Sequence, residues 1–374
     1  MTKVCARCVM DETARSIVFD AAGMCNYCTE LFERAGPELY KDQGQRDQEL
    51  ASLISGIKSE GKGKRYDCIM GVSGGVDSSF AIHKAVESGL RPLAVHMDNG
   101  WNSELAQSNI ENLVRRLQLD LVTYVIDWRE YRALMQAFLD ADVIDVELLY
   151  DNAMYAVNFQ QARRWQTRWI LAGTNLSTEG MRIPSGWNWL KYDKRNIKGI
   201  KKAYDGKGID SFPAIGTLGY TRSLFLRRIR WVSFLDYFDY NKNAALSLLQ
   251  KQYSFKPYPH KHYESVFTRL YMGNILPTKF NVDMRKVDFS NLILSQQMDR
   301  QQALALLREQ PYPSTSSLER DILFFQKKMG WTDEEWRTYL DRPERPHDAF
   351  PSEKGLYDLL RSLSRKFRPA SDYK

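Results

Sequence analysis

The sequence predicts an α/β protein: a parallel sheet with helices on both faces, preceded by a small cysteine-rich ribbon and followed by a mostly helical C-terminal region. Three observations carry that reading. Short apolar runs alternate with helix-period runs between residues 66 and 176. Four of the five cysteines fall in two pairs near the N-terminus. The first apolar run ends in a glycine- and serine-rich turn that leads straight into a helix. At 374 residues the chain is long enough for two domains and buries enough surface to need no disulfides. Its divisions read as a ribbon over 1–35, a helix and basic linker over 36–65, the α/β domain with substrate loops over 66–220, and the helical region over 221–374.

The ribbon comes first. Cys5-x2-Cys8 and Cys25-x2-Cys28 are separated by sixteen residues, and each pair offers two thiolates from one tight turn. Two such turns brought together complete a tetrahedral sulfur site with no open position for chemistry. A structural Zn2+ staple held by Cys5, Cys8, Cys25 and Cys28 is the expectation, and an iron–sulfur cluster is the alternative. Cys68 stands apart in an apolar run and reads as a small core hydrophobe.

Next come the alternating elements. Strands are expected at 68–72, 92–97, 121–126 and 169–172, and helices around 78–88, 103–117, 129–141 and 152–166. Residues 177–220, rich in Gly, Asn, Lys and aromatics, read as long functional loops. From about residue 222 the segments look helical, broken at Pro257, Pro259, Pro277, Pro311 and Pro313. No apolar run approaches the ~18 residues of a membrane span, so no membrane association is expected. The first residues reach Asp11 and Glu12 without an apolar core segment, so the chain reads as cytoplasmic. The net charge of +7 suits an anionic ligand without demanding nucleic acid, which is not an expected partner.

The sharpest motif is Gly71-Val72-Ser73-Gly74-Gly75-Val76-Asp77-Ser78-Ser79, where a buried strand turns into a helix. Glycines let the backbone pass close to an anion, and the freed N–H groups of the helix start then point at it. Asp77 beside a phosphate suggests a bound Mg2+ to reconcile the charges. The motif closely resembles the pyrophosphatase loop, or PP-loop, of AMP-forming enzymes with a Ser-Gly-Gly-x-Asp-Ser signature. That resemblance implies ATP binding by Val72, Ser73, Gly74, Gly75, Asp77, Ser78 and Ser79. It adds His96, Met97 and Asp98 from the end of the second strand, with Gly173 and Thr174 from the end of the fourth.

Adenylation only activates a carbonyl, and nitrogen or sulfur must finish the exchange. Four cysteines are committed to the ribbon and Cys68 looks buried, so neither sulfur relay nor a built-in glutaminase has a spare thiol. The layout Cys-x2-Cys-Val-Met-Asp, Cys-x-Tyr-Cys and Gly-Val-Ser-Gly-Gly-Val-Asp-Ser-Ser resembles the N-acetyl sugar amidotransferases of bacterial surface-glycan biosynthesis. Similar segments recur at 95–101, 191–193, 261–269 and 276–286. The resemblance implies ATP-dependent conversion of a sugar acetamido group into an acetamidino group, in O-antigen (lipopolysaccharide) or nonulosonic acid biosynthesis. It also implies ammonia delivered by a glutaminase and cyclase-like partner.

Lys191 and Arg195, in a basic loop beyond the last strand, are candidates with Asp77 for catalysis, by neutralising charge in the adenylation transition state. Asn99, Trp101, Asn175, Trp187, Tyr192 and Asp193 are candidate substrate contacts, with Trp189 a further aromatic. Arg222, Arg227, Arg228 and Arg230 could grip a diphosphate but read more simply as a helix surface. His262, Glu264 and Arg269 are weaker candidates. The alternative function is a tRNA-thiolating PP-loop enzyme with a zinc ribbon, and a non-enzymatic nucleotide-binding scaffold is a third reading.

Overall fold

The computed structural model describes residues 3–258 and 263–367. Its centre is a five-stranded sheet: β1 (Cys68–Gly71), β2 (Pro92–Asp98), β3 (Leu121–Val125), β4 (Trp169–Ala172) and β5 (Arg230–Ser233). The spatial order is β3-β2-β1-β4-β5 and every pairing is parallel. Side chains alternate across a strand, so Ile69 faces one core while Cys68 and Met70 face another. Both faces are buried, which is why β1, β2 and β4 read as continuous apolar runs.

The helices that cover the sheet follow in chain order: α1 (Asn26–Leu39), α2 (Gln43–Gly61), α3 (Val76–Glu87), α4 (Glu104–Leu117), α5 (Trp128–Asp140) and α6 (Leu148–Arg164). Cys68 and Met70 pack with Ala81 and Ile82 of α3 and Leu113 of α4. Ile69 packs on the other face with Phe138 of α5 and Phe159 of α6. The start of each is written locally: Ser103 accepts from Ala106 N–H at the head of α4, and Asp127 from Glu130 N–H at the head of α5.

Two expectations are corrected. The segment 177–220 is not all loop. It holds α7 (Leu176–Glu179), α8 (Lys194–Asp205) and the start of α9 (Thr217–Phe225). Asp193 caps α8 through Asn196 N–H at 2.9 Å, and Gly206 closes it at φ +66°, a left-handed turn that glycine adopts freely. Beyond 222 the chain is mostly helical, as expected, but the last strand of the sheet also lies there. The four residues of β5 pair with β4 from Trp169↔Arg230 to Ala172↔Ser233, so the sheet extends past residue 220.

The rest is helical as expected: α10 (Lys242–Tyr253), then helices at Val266–Leu270, Leu276–Phe280, Arg285–Leu294, Arg300–Arg308, Thr315–Met329, Asp333–Asp341 and Lys354–Phe367. Among the described residues no helix is long and apolar enough to cross a membrane.

Candidate active site and metal centre

The four N-terminal cysteines converge completely. All are fully buried, and their sulfurs lie within 4.8 Å of one another. Cys5 and Cys28 Sγ are 3.8 Å apart, as are Cys8 and Cys25 Sγ. A tetrahedral ion with Zn–S of ~2.3 Å requires sulfur–sulfur edges of ~3.8 Å. A disulfide needs ~2.05 Å, so the cluster has the dimensions of a metal site and not of crosslinks. Cys25 N–H donates to Cys5 Sγ at 3.2 Å and Met10 N–H to Cys8 Sγ at 3.4 Å, which stabilises thiolate charge. The donor set and its size are compatible with zinc. The ribbon is pinned to the C-terminal helices: Arg300 donates to the carbonyls of Cys5 (2.7 Å) and Cys8 (3.0 Å), and Lys286 pairs with Asp11 at 2.6 Å.

The glycine–serine loop sits at the carboxyl end of β1, where open parallel sheets place their ligands. Gly74 has φ +83°, and a Cβ there would come within 2.8 Å of the Ala106 carbonyl oxygen. Gly75 precedes α3 with no side-chain cap, so the first N–H groups of that helix have no capping side chain. Ser73 Oγ lies 3.1 Å from Ser78 Oγ and accepts from Gly75 N–H at 3.2 Å, which curls the loop around its own hydroxyls. Tyr258 donates to the Gly74 carbonyl at 3.0 Å. Ser79 is fully buried with an unpartnered hydroxyl. Gly173 at the end of β4 approaches so closely that a Cβ would lie 2.7 Å from Ser78 N, and Thr174 bonds Ser233 at 2.9 Å.

Asp77 accepts a hydrogen bond from Tyr240. Burial and the Asp77 charge push the Tyr240 phenol up, so it stays protonated as a donor. His96 is buried, with Nδ1 2.9 Å from the Val72 carbonyl. Only a protonated Nδ1 can use that acceptor, which leaves Nε2 to accept from Asn102 Nδ2 at 3.0 Å. His96 therefore props the loop from beneath. Met97 is core, and Asp98 accepts from Gly100 N–H and Asn102 Nδ2.

Several candidates are corrected. Trp101 is 1% exposed, packs against Phe325 and Phe267, and points Nε1 at Met135 Sδ, so no face is open to a sugar. Trp187 is likewise buried. Asp193 is fully buried and takes four donors, from Trp189, Asn196, Ser352 and Glu353, which makes it a structural hub. Asn175 caps α7, and Asn99 bonds Trp101 N–H and Tyr131 within the core. Lys191 is no free cation: it bridges Asp145 at 2.7 Å and Asp151 at 2.8 Å. Burial alone would lower its pKa, but the two carboxylates outweigh burial and hold it charged. Arg195 is exposed on α8 with no described contact to the loop. Tyr192 stacks on Tyr220 at 3.6 Å beside Tyr155. Arg269 forms a two-pronged pair with Asp321, and His262 lies outside the described residues.

Sequence reasoning missed a group of acids at the head of α6. Glu147, half-buried, accepts from Thr268 at 3.2 Å, and burial followed by the Asp151 charge pushes its carboxyl up to about 8. Tyr150 feels the charges of Glu264, Glu147, Asp151 and Asp98, so these acids border one region beside the loop. The only local signal was a set of acids inside an otherwise apolar stretch, 141–151.

Residues 264–364 match the family model described as LPS biosynthesis protein WbpG-like, C-terminal domain. That stretch is similar to a WbpG-like C-terminal domain. Over 128 residues, 34% of this chain, it is 29% identical to an uncharacterized protein of Methanocaldococcus jannaschii, MJ1599, of which it covers 44%. Over 95 residues, 25% of this chain, it is 36% identical to 27% of a tRNA(Ile)-lysidine synthase of Chlamydia pneumoniae. The chain thus spans less than half the length of the curated relatives it matches. Among solved structures, an NMN synthetase of Francisella tularensis overlaps 59% of this chain and 99% of its own, at 14% identity and TM-score 0.30. An NH3-dependent NAD synthetase of Campylobacter jejuni overlaps 73% of this chain and 99% of its own, at 14% identity and TM-score 0.30.

The WbpG-like segment is built into the loop's surroundings. Its first residue, Glu264, places Oε1 3.6 Å from where a Cβ on Gly75 would stand, and its carbonyl accepts from Ser103 N–H at 2.9 Å. Val266 N–H then donates to the Trp101 carbonyl at 2.8 Å, and Phe267 and Phe325 pack on that tryptophan. The loop at the end of β2 and the family segment form one wall.

Proposed function

We propose that the chain is an ATP-dependent, AMP-forming amidotransferase that converts the N-acetyl group of a sugar into an acetamidino group during surface-glycan biosynthesis. The observation that carries this reading is the join just described: Glu264, the first residue of the WbpG-like segment, stands against Gly75 of the glycine–serine loop. In this reading Ser73, Ser78, the Gly74–Gly75 backbone and the start of α3 cradle pyrophosphate, where N–H groups and the helix dipole favour anions. Asp77, placed by Tyr240, would hold magnesium, which supplies charge neutralisation when bound. Gly173 and Thr174 flank the nucleotide.

The acetamido carbonyl oxygen attacks the α-phosphorus and pyrophosphate leaves. Ammonia then adds to the activated carbon, loses a proton, and AMP departs with the original oxygen. The net change is O replaced by NH. Lys191 acts here as a positioning residue that ties Asp145 to Asp151. Ammonia comes from solution or from a glutaminase and cyclase-like partner. The four-cysteine cluster is a structural zinc staple with no open position for this chemistry.

The test is mass spectrometry with Mg-ATP, an ammonium salt and a panel of acetamido sugars, free and nucleotide-linked. One sugar showing the small mass loss of O replaced by NH, with AMP formed in step, is expected. No AMP with any sugar, in ammonium or with a glutaminase partner, sinks the reading. A second reading, RNA modification, draws on the net charge of +7 and the match to a tRNA(Ile)-lysidine synthase. It requires tRNA binding with steep salt dependence.

A further inference from the structure

The opposite end of the sheet carries its own cleft. About 620 Å³ in volume, it is lined by Lys64, Arg163, Arg168 and Arg227, with Glu60 and Thr167 among the remaining wall. Lys64 precedes β1, Arg168 precedes β4 and Arg227 precedes β5. The cleft therefore opens at the amino ends of strands whose carboxyl ends carry the glycine–serine loop. This volume lies within the ~300–1,000 Å³ usual for small-molecule sites.

Two independent features mark it as more than a solvated basic face. Among the described residues no carboxylate pairs with Arg163, Arg168 or Arg227, and the one acid in the lining, Glu60, already pairs with Arg230 at 2.6 Å. Burial chiefly, and the charges of Arg227 and Arg222 after it, pull the pKa of Arg163 down. In addition, Thr167 is only 3% exposed, lines the cleft, and has a hydroxyl without a partner. A buried hydroxyl left unbonded is unfavourable, and a ligand oxygen that reaches it would recover that loss. Planar guanidinium forks match phosphate oxygens in pairs.

We propose that this cleft is a second anion site, taking a phosphorylated small molecule through Arg163, Arg168, Arg227 and Lys64 with the Thr167 hydroxyl as its neutral donor. The site is separate from the glycine–serine loop by the length of the sheet. It would let a phosphorylated metabolite be sensed or held without competing for the ATP site.

Calorimetric titration of the full chain with inorganic pyrophosphate, without divalent metal, tests it. The Gly74→Ala variant removes the loop site, so the binding that remains reports the cleft. In that background Arg163→Glu with Arg227→Glu is expected to abolish binding. Thr167→Val is expected to weaken it by about tenfold, the scale of a hydrogen bond to a charged group, and Thr167→Ser to restore it. Charge on a surface alone would not respond to the hydroxyl. With Gly74 intact, the cleft variants should keep the parent's melting temperature and AMP formation, which separates failure of this site from failure of the loop reading. ADP displacing pyrophosphate identifies a nucleoside diphosphate as the source; pyrophosphate alone identifies a free inorganic anion. No pyrophosphate binding by Gly74→Ala, or binding indifferent to both sets of cleft substitutions, overturns the proposal.

Discussion

The hydroxyl of Tyr240 donates to the carboxylate of Asp77 in the first turn of α3, across 163 residues of sequence. The bond fixes the one acid of the glycine–serine loop from outside that loop. Asp77→Ala is expected to abolish AMP formation while leaving the melting temperature within a few degrees of the parent. Tyr240→Phe keeps the ring in its packing against Phe80 but releases the carboxylate. AMP formation should then fall by about tenfold to a hundredfold, the effect of losing one positioning hydrogen bond. Steady-state AMP release measures both, and an Asp77→Ala enzyme with parental turnover would refute the loop's assigned role.

Cys25→Ser removes one of four sulfur ligands. The variant should bind less than one equivalent of zinc and melt well below the parent, because structural zinc contributes folding energy directly. Metal analysis and a thermal melt, each with and without chelator, make the comparison. A variant as metal-loaded and as stable as the parent would remove the staple reading.

Glu147 supplies a pH dependence of its own. Its carboxyl is pushed up to about 8 from an ordinary value of 4.5, so between those values the folded chain holds a proton that the unfolded chain has lost. Stability from this group therefore falls as pH rises from 4.5 through 8 and levels off above. Glu147→Gln removes that slope and is expected to gain about 1–3 kcal/mol relative to the parent at pH 9 compared with pH 4, a range reduced for the partial exposure of the site. Denaturant melts at the two pH values decide it, and parallel curves for the two proteins would count against it.

His347 works in the other direction. Burial pushes it down to about 3, and its Nε2 accepts from Asp145 N–H at 3.1 Å, so the ring must be neutral. The unfolded chain takes up a proton below about 6.5 that the folded chain refuses. Stability from this residue is complete above 6.5 and lost as pH falls toward 3. Unfolding midpoints measured from pH 7 to pH 4 should fall for the parent and fall less steeply for His347→Gln.

How much of this was legible in the sequence depended on range. The strands Trp169–Ala172 and Cys68–Gly71 announced themselves because both faces are buried, and the glycine–serine turn because strand, turn and helix are contiguous. The cysteine pairs were legible because spacing alone limits what four thiols can do. By contrast β5, Arg230-Trp231-Val232-Ser233, is short, edge-placed and led by arginines, so nothing local separates it from helix surface. Lys191 looked like a catalytic cation because Asp145 and Asp151 meet it only in three dimensions. Trp101 looked like a sugar platform because the rings that cover it arrive from residues 267 and 325.

The grip of Arg300 on the carbonyls of Cys5 and Cys8, with Ser290 holding Val9, seats the ribbon on the C-terminal helices. The ribbon and its seat are separated by 281 to 295 residues of sequence, so the ribbon is fastened only where the C-terminal helices are already packed. Metal closure and helix docking thereby depend on each other, through residues 5–11 on one side and 286–300 on the other. A chain starved of metal should then reach a state with its sheet formed and its C-terminal helices unfastened, in which the wall beside the glycine–serine loop is the part left unfinished.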